Sequence, residues 1–187
     1  MQSRQKFLDS WVHCELVISN KKLYLKCDSF GTMLTGIHQE VYSGIQAVLE
    51  DEDDWVAAMA TVVCELHNSF EHFHWTGFYR TVRENHLKIG PYQGGHGCLD
   101  IPFEKGICGA AARLKQTQDV PDVHVRPEHI ACSSTTNSEV VVPVISPSGD
   151  VFAVLDVDSD DYAAFSKEDV ALLEAVCSDL GKQYGSI

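Results

Sequence analysis

Three cysteines lie within one short stretch of the chain, and their thiols could carry redox chemistry. Nine residues separate Cys98 from Cys108, and twenty-three separate Cys108 from Cys132. A thiolate that attacks an oxidised sulfur becomes a sulfenic acid, and a second thiol condenses with it to form a disulfide. An external reductant then restores both thiols. The trio therefore indicates a thiol-dependent reduction.

The local sequence bears on the reactivity of two of these thiols. A short alanine-rich helix is predicted from Gly106 through Lys115, which places Cys108 near a helix N-terminus, where backbone N–H groups favour a thiolate. His129 precedes Cys132 by three residues. It could assist the ionisation of Cys132, and a structural loop histidine is an equal alternative.

A hairpin follows the cysteines. Apolar runs at 139–145 and 151–158 flank Ser146-Pro147-Ser148-Gly149, a turn with proline at its second position. Centring the turn on the middle of that segment places Glu139 opposite Asp156. A register two residues different places it opposite Asp158.

Either register gathers three carboxylates, those of Glu139, Asp156 and Asp158, on one side of the sheet, because side chains alternate along a strand. Their mutual repulsion raises at least one pKa. A protonated carboxyl could donate to a departing sulfoxide oxygen, and a carboxylate could hold the ammonium group of a free amino acid. The sequence leaves open which acid does which. The alternative is a solvated sheet edge with ordinary acids.

Two aromatic residues are candidates for the wall of a binding pocket. Trp75 and Tyr79 are four positions apart in a predicted strand at 75–82, so they share a face. Together they could enclose a methyl-sulfur group. Such a pair is also common in a hydrophobic core.

Composition narrows the function classes. The formal charge of −13 argues against nucleic-acid or anionic-membrane binding, which needs a basic face. Residues 7–18 contain Asp9, His13 and Glu15, so they do not resemble a signal peptide, and no run is long enough to span a membrane. A cytoplasmic location is expected. Seven cysteines without a CxxC motif argue against a secreted disulfide scaffold and against zinc, so no metal site is expected.

The order of predicted elements indicates the fold class. A helix is predicted at 38–49, where Val41, Ile45, Val48 and Leu49 recur at helical spacing on one apolar face. A second helix is predicted from Trp55 to Phe70, followed by strands at 75–82 and 86–90, the short helix, the hairpin, and a C-terminal helix capped by Ser166. This order is typical of an α+β domain in which helices cover an antiparallel sheet. Residues 1–30 show no clear period and are interpreted as an N-terminal extension, followed by a single domain at 31–187. Cys64 and Cys177 are expected in the core.

Several motifs, taken together and in order, resemble the free methionine-R-sulfoxide reductase family, whose members adopt the GAF fold. The resemblance covers roughly residues 38–184. It includes WTGFY at 75–79, GPYQG at 90–94, the three cysteines, VPDV at 120–123, HIAC at 129–132, SEVVVP at 138–143 and LDVDS at 155–159.

The resemblance implies a six-stranded antiparallel sheet with flanking helices. It also implies reduction of the R epimer of free methionine sulfoxide, with no bound cofactor and with electrons from a thioredoxin-like protein, ultimately from NADPH. By position, Cys132 is the expected nucleophile, Cys98 its disulfide partner, and Cys108 an alternative attacking or resolving thiol. Substrate contacts are expected from Trp75, Tyr79, Glu139, Asp156 and Asp158.

Other functions are consistent with the same fold. A GAF module that binds a small ligand without chemistry would leave the cysteines idle, and a peroxide sensor would use them without a specific substrate. GAF domains often pair, so a homodimer is one expectation, with the oligomeric state left open.

Overall fold

The structure is a computed structural model that describes residues 14–19, 22–27, 34–126 and 135–185. The chain divides into two compact units, Met1–Met33 and Leu34–Ile187. In the first unit, strands β1 (Cys14–Ser19) and β2 (Lys22–Cys27) pair in an antiparallel hairpin. Sequence patterning missed this hairpin because Leu16, Val17 and Ile18 are consecutive apolar residues that show no alternation.

The second unit is an antiparallel sheet with helices on both faces. Its described elements, in chain order, are α1 (Gly36–Val48), α2 (Trp55–Ser69), β3 (Trp75–Arg83), β4 (His86–Gln93), β5 (Asp100–Pro102), α3 (Gly106–Leu114), β6 (Gln118–Val120), a 3-10 turn (Val123–Val125), β7 (Ser138–Ile145), β8 (Val151–Ser159) and α4 (Lys167–Tyr184). The strand order is β5-β4-β3-β8-β7-β6, and every neighbouring pair is antiparallel. The predicted α+β fold with a six-stranded antiparallel sheet is confirmed.

Strand alternation divides the buried residues into two clusters, one on each face of the sheet. The larger cluster joins Phe78, Val142 and Leu155 to residues of α1, α2 and α4. The smaller one joins Trp75, Tyr79, Val141 and Val154 to residues of α3, including Cys108. The sequence-predicted aromatic residues therefore lie on the face that α3 covers.

Local capping fixes where two of the helices begin. Oδ1 of Asp54 accepts the backbone N–H groups of Val56 (2.7 Å) and Ala57 (2.9 Å), which starts α2. Ser166 and Asp169 form a reciprocal capping box at the start of α4, as the sequence predicts for Ser166. In the described chain, no helix is both long enough and apolar enough to cross a lipid bilayer.

Two expectations about helix faces are wrong. Val48 is 60% exposed although Val41, Ile45 and Leu49 are buried, so the apolar stripe of α1 is narrower than the pattern suggests. Cys64 is exposed rather than in the core, because the buried face of α2 runs through its neighbours Met59, Val63 and Leu66. Cys177 is buried in α4, as expected.

Helix α4 packs against the sheet at a glycine. A Cβ built on Gly181 would lie 2.2 Å from the backbone carbonyl oxygen of Ile145 in β7. A backbone atom within a central sheet cannot yield as a flexible side chain does, so this position requires glycine. The resulting contact holds β7, which carries Glu139, against the larger core.

Gly181→Ala should therefore destabilise the protein by about 1–3 kcal/mol, the usual cost of overpacking. Gly44 provides a matched control, since it lies inside α1 with no atom within 4 Å of a built Cβ. Gly44→Ala should stabilise by about 0.5–1 kcal/mol, because alanine has the higher helix propensity. Urea unfolding of both variants measures these changes, and equal effects would contradict the packing argument.

Candidate active site

The strand register brings the three predicted acids to one face of the central strands. Across β3, β8 and β7, Trp75 pairs with Asp158, and Asp158 pairs with Glu139. Asp156 lies one row further along β8, between Gly77 and Val141. The first predicted register, which placed Glu139 opposite Asp156, is wrong, and the alternative opposite Asp158 is the one observed.

The register differs because the hairpin loop is longer than a four-residue turn. The N–H of Gly149 donates to the carbonyl of Ser146 at 2.9 Å, as a turn requires, but Gly149 has a φ of +88° and the loop closes only at Asp150. A further irregularity follows, since Ile145 pairs with Val151 and Val144 with Ala153. Each extra residue on the β8 side shifts the pairing by one.

The acids are not at a solvated edge. β8 and β7 are interior strands of the sheet, and Glu139 and Asp156 are only 6% and 5% exposed. Asp158 is half-buried. The alternative interpretation as ordinary surface carboxylates is therefore excluded for the two buried acids.

Cys108 meets these acids from the opposite side of the pocket. It is the third residue of α3 and is buried. Its Sγ, one carboxylate oxygen of Glu139 and one of Asp156 all lie within 4.8 Å of one another. Gly109 permits the close packing of α3 against the segment that precedes it, because a Cβ there would lie 2.7 Å from the carbonyl oxygen of Phe103.

The environment keeps protons on this cluster. Burial raises the pKa of Asp156 to about 7, and hydrogen bonds from Cys108 and Glu139 restrain that rise. Burial raises the pKa of Glu139 well above its ordinary value, as do the charges of Asp156 and Asp158, while Arg126 lowers it. The pKa of Asp158 is also raised, first by burial and then by Asp156 and Asp160. Near neutral pH the cluster is thus a proton reservoir.

The same environment acts against a thiolate on Cys108. Burial raises its pKa well above the ordinary value, and Asp156 and Glu139 raise it further. The predicted thiolate-favouring effect of the helix N-terminus is therefore outweighed, because desolvation and nearby acids both disfavour a second negative charge. Cys108 is a thiol that donates toward Asp156.

Aromatic rings form the adjoining wall. The Trp75 ring stacks with Tyr79 at a centroid distance of 5.8 Å and with Tyr92 at 5.5 Å. It lies over Gly77, where a built Cβ would come within 2.4 Å of the indole. Burial, followed by the charge of Asp156, raises the pKa of the Tyr79 hydroxyl, which therefore remains a hydrogen-bond donor.

Two contributors to this wall were missed by the sequence reasoning. Tyr92 lies within the GPYQG stretch but carried no signal of its own before the pairing of β3 with β4 placed it opposite Gly77. Gly97 lies over the rings, since a Cβ there would be 2.9 Å from the Tyr79 hydroxyl and 3.0 Å from Trp75. The backbone that leads into Cys98 thus passes directly above the aromatic wall.

Cys98 is partly buried and packs against the cluster that contains Trp75, Tyr79 and Cys108. It is disulfide-bonded, and Cys64, Cys108 and Cys177 are free. Cys132 and His129 lie outside the described residues. The structure therefore brings together seven of the eight predicted site residues: Cys98, Cys108, Trp75, Tyr79, Glu139, Asp156 and Asp158.

Comparison with known proteins identifies the family of this arrangement. The GAF domain family model matches residues 50–182. Free methionine-R-sulfoxide reductase from Saccharomyces cerevisiae is 36% identical over 152 residues, which are 78% of this chain and 84% of the yeast protein. The Escherichia coli protein of the same name is 32% identical, over 79% of this chain and 88% of its own.

A solved structure extends the likeness to three dimensions. The X-ray structure of free methionine-R-sulfoxide reductase from Neisseria meningitidis in complex with its substrate is 40% identical, with a TM-score of 0.75, and the match covers 80% of this chain and 89% of that one. Sequence and fold agree, and the chain belongs to the free methionine-R-sulfoxide reductase family of GAF-domain proteins.

Proposed function

We propose that this protein reduces free L-methionine (R)-S-oxide to L-methionine. The observation that carries the proposal is a cluster of buried, proton-holding carboxyls beside a thiol and an aromatic wall, on a face that Cys98 also reaches. Relatives that bear this activity in their names align over most of the chain.

The first step transfers oxygen from sulfur to sulfur. A cysteine thiolate attacks the sulfoxide sulfur, the sulfoxide oxygen moves to the cysteine, and one proton is taken up, which yields a sulfenic acid and methionine. The proton comes from the carboxyl cluster, in which Asp156, with a pKa raised to about 7, is suited to donate near neutral pH. Glu139 can restore the proton to Asp156, because the two share a hydrogen bond.

Cys132 is the proposed nucleophile. The raised pKa of Cys108 leaves that thiol protonated and poorly nucleophilic, which favours another cysteine for the attack. The sulfenic acid on Cys132 then condenses with the thiol of Cys98, releasing water and forming a disulfide. The disulfide-bonded state of Cys98 supports its role as the resolving thiol. A thioredoxin-like dithiol, ultimately supplied by NADPH, reduces the disulfide.

Specificity for a free amino acid follows from charge and shape. Asp158 is the least buried of the three acids and lies opposite Trp75, so a substrate ammonium group can reach its carboxylate from solvent. Although burial raises the pKa of Asp158 in the free protein, the nearby ammonium charge favours its ionised form when substrate binds. The stacked rings of Trp75 and Tyr79 then contact the methyl-sulfur end. A peptide-linked residue lacks the ammonium group and is excluded.

Incubation with the separate R and S epimers, in the presence of thioredoxin, thioredoxin reductase and NADPH, should oxidise NADPH only with the R epimer. Inactivity on both epimers together with tight binding of a nucleotide would instead indicate a ligand-sensing module. Faster turnover of peroxide than of the sulfoxide would indicate a thiol peroxide sensor.

Cys132→Ser should abolish turnover without changing the fold. Cys98→Ser should release about one methionine per protein molecule and then stop, because the sulfenic acid has no resolving thiol. Cys64→Ser is the matched control: its thiol is exposed on α2, and full turnover is expected. Mass spectrometry and single-turnover assays separate these outcomes, and full activity of Cys132→Ser would assign the attack to Cys108.

Asp156→Asn should lower kcat by roughly 100-fold to 10,000-fold, the usual contribution of a general acid. In the wild type, kcat should fall as the pH rises through about 7, because Asp156 loses its proton there. Asp161→Asn, at an exposed carboxylate after β8, should leave rate and pH profile unchanged. A pH-rate profile measures both effects.

Asp156→Asn also tests the raised pKa of Asp156, because a pKa that differs between the folded and unfolded states makes stability depend on pH. The pKa of Asp156 in the folded protein, about 7, lies above its value of about 3.9 in the unfolded chain. Proton binding by Asp156 therefore stabilises the folded state fully below about pH 3.9, and this contribution is lost as the pH rises toward about 7. Asp156→Asn should thus gain stability relative to the wild type between about pH 4 and pH 7. A pH-independent difference in the free energy of unfolding would refute the raised pKa.

A further inference from the structure

A thiol and two carboxylates converge at one point of the pocket. Sγ of Cys108 and one carboxylate oxygen each from Glu139 and Asp156 lie within 4.8 Å of one another, and all three residues are buried. Within the described parts of the chain, this is the one group of three cysteine, histidine or acidic residues with such ligand spacing. The residues come from α3, β7 and β8, so the fold itself holds them together.

A second observation points to a missing ligand. Oδ1 of Asp156 is buried and has no hydrogen-bond partner among the described residues. Asp156 as a whole is only 5% exposed. Buried polar atoms are nearly always satisfied, and an exception indicates an ion, a water molecule or a functional role. A cation bound by this carboxylate would supply the partner.

The donor set selects the kind of cation. A bound cation would displace the protons held by the cluster and leave a thiolate with carboxylates. Zn²⁺ accepts both sulfur and oxygen ligands, whereas Ca²⁺ and Mg²⁺ prefer oxygen ligands alone. Bond lengths of about 2.3 Å to sulfur and about 2.0–2.2 Å to oxygen place tetrahedral ligand atoms roughly 3.3–3.7 Å apart. The three atoms thus need to move inward by about 1 Å at most, which side-chain rotation allows.

We propose that the reduced protein binds one Zn²⁺ ion through Cys108, Glu139 and Asp156, with a water molecule completing the tetrahedron. Three protein ligands with an open fourth position distinguish such a site from a structural zinc site, which is closed by four protein ligands. The ion occupies the position of the proton donors, so it inhibits sulfoxide reduction. Inhibition rests on the proposed function, whereas binding does not.

Co²⁺ is the spectroscopic probe for this site. Titration of the reduced protein with Co²⁺ should produce the visible bands of four-coordinate cobalt and a near-ultraviolet thiolate-to-cobalt band at a stoichiometry of one, and Zn²⁺ should abolish both. Cys108→Ser should lose the thiolate band and at least about tenfold in affinity, since even an outer-shell partner contributes this much. Asp156→Asn should keep the thiolate band and also lose at least about tenfold in affinity.

Cys64→Ser is the control, because Cys64 is a free thiol outside the cluster. It should keep the bands and the affinity of the wild type. Bands that survive in Cys108→Ser, or that vanish in Cys64→Ser, would overturn the site, as would their absence from the wild-type protein. If Cys108→Ser does not fold, Asp156→Asn decides alone, and unchanged affinity in that variant rejects the proposal.

An activity readout separates this proposal from the proposed function. Zn²⁺ should lower kcat for the sulfoxide, because it displaces the proton donors, and a chelator should reverse the effect. Cobalt bands in a protein inactive on both epimers would leave the metal site standing and reject the reductase. Turnover of the R epimer without cobalt bands would support the reductase and reject the metal site.

Discussion

The chemistry of this site depends on the desolvation of carboxyl groups on a central strand. β8 lies between β3 and β7, so its side chains face either the larger core or the pocket under α3. Asp156 is held in that pocket among groups that resist ionisation, and its raised pKa follows chiefly from burial. A carboxylate in water would release its proton several pH units lower. The fold therefore lets an aspartate hold its proton up to near-neutral pH, through its position rather than its residue type.

The same desolvation separates the roles of two thiols. Cys108 begins a helix, an arrangement that lowers thiol pKa values elsewhere, yet here it lies against two acids and away from solvent. The helix N-terminus contributes a modest stabilisation, whereas desolvation of a buried charge shifts pKa values by several units. Cys108 consequently keeps its proton and belongs to the hydrogen-bonded cluster with Asp156 and Glu139.

Sequence periodicity was sufficient to place Trp75 with Tyr79, and Asp156 with Asp158, because alternation along a strand depends only on local geometry. It also identified the start of α4 at Ser166, a local capping signal. The hairpin register was ambiguous because Gly149 adopts a left-handed conformation and a bulge follows. Neither feature has a unique sequence signature.

Contacts between distant segments were beyond the reach of the sequence. The exposure of Cys64 depends on which face of α2 meets the sheet, and the role of Tyr92 depends on the β3–β4 pairing. The proximity of Cys108 to Asp156 requires α3 to fold back over the sheet, a long-range event that no local pattern encodes. The six-stranded sheet was predicted from the family resemblance, because proteins that share these motifs share the same long-range contacts.

The alternation of β8 has a consequence for folding fidelity. A slip of one position would turn Asp156 and Asp158 toward α2 and α4 and expose Leu155 and Val157 to the pocket. Burying two acids beneath apolar helices is prohibitive unless they are neutralised. Asp156 and Asp158 thus also specify the pairing of β8, because a strand displaced by one position would have to bury both acids beneath apolar helices.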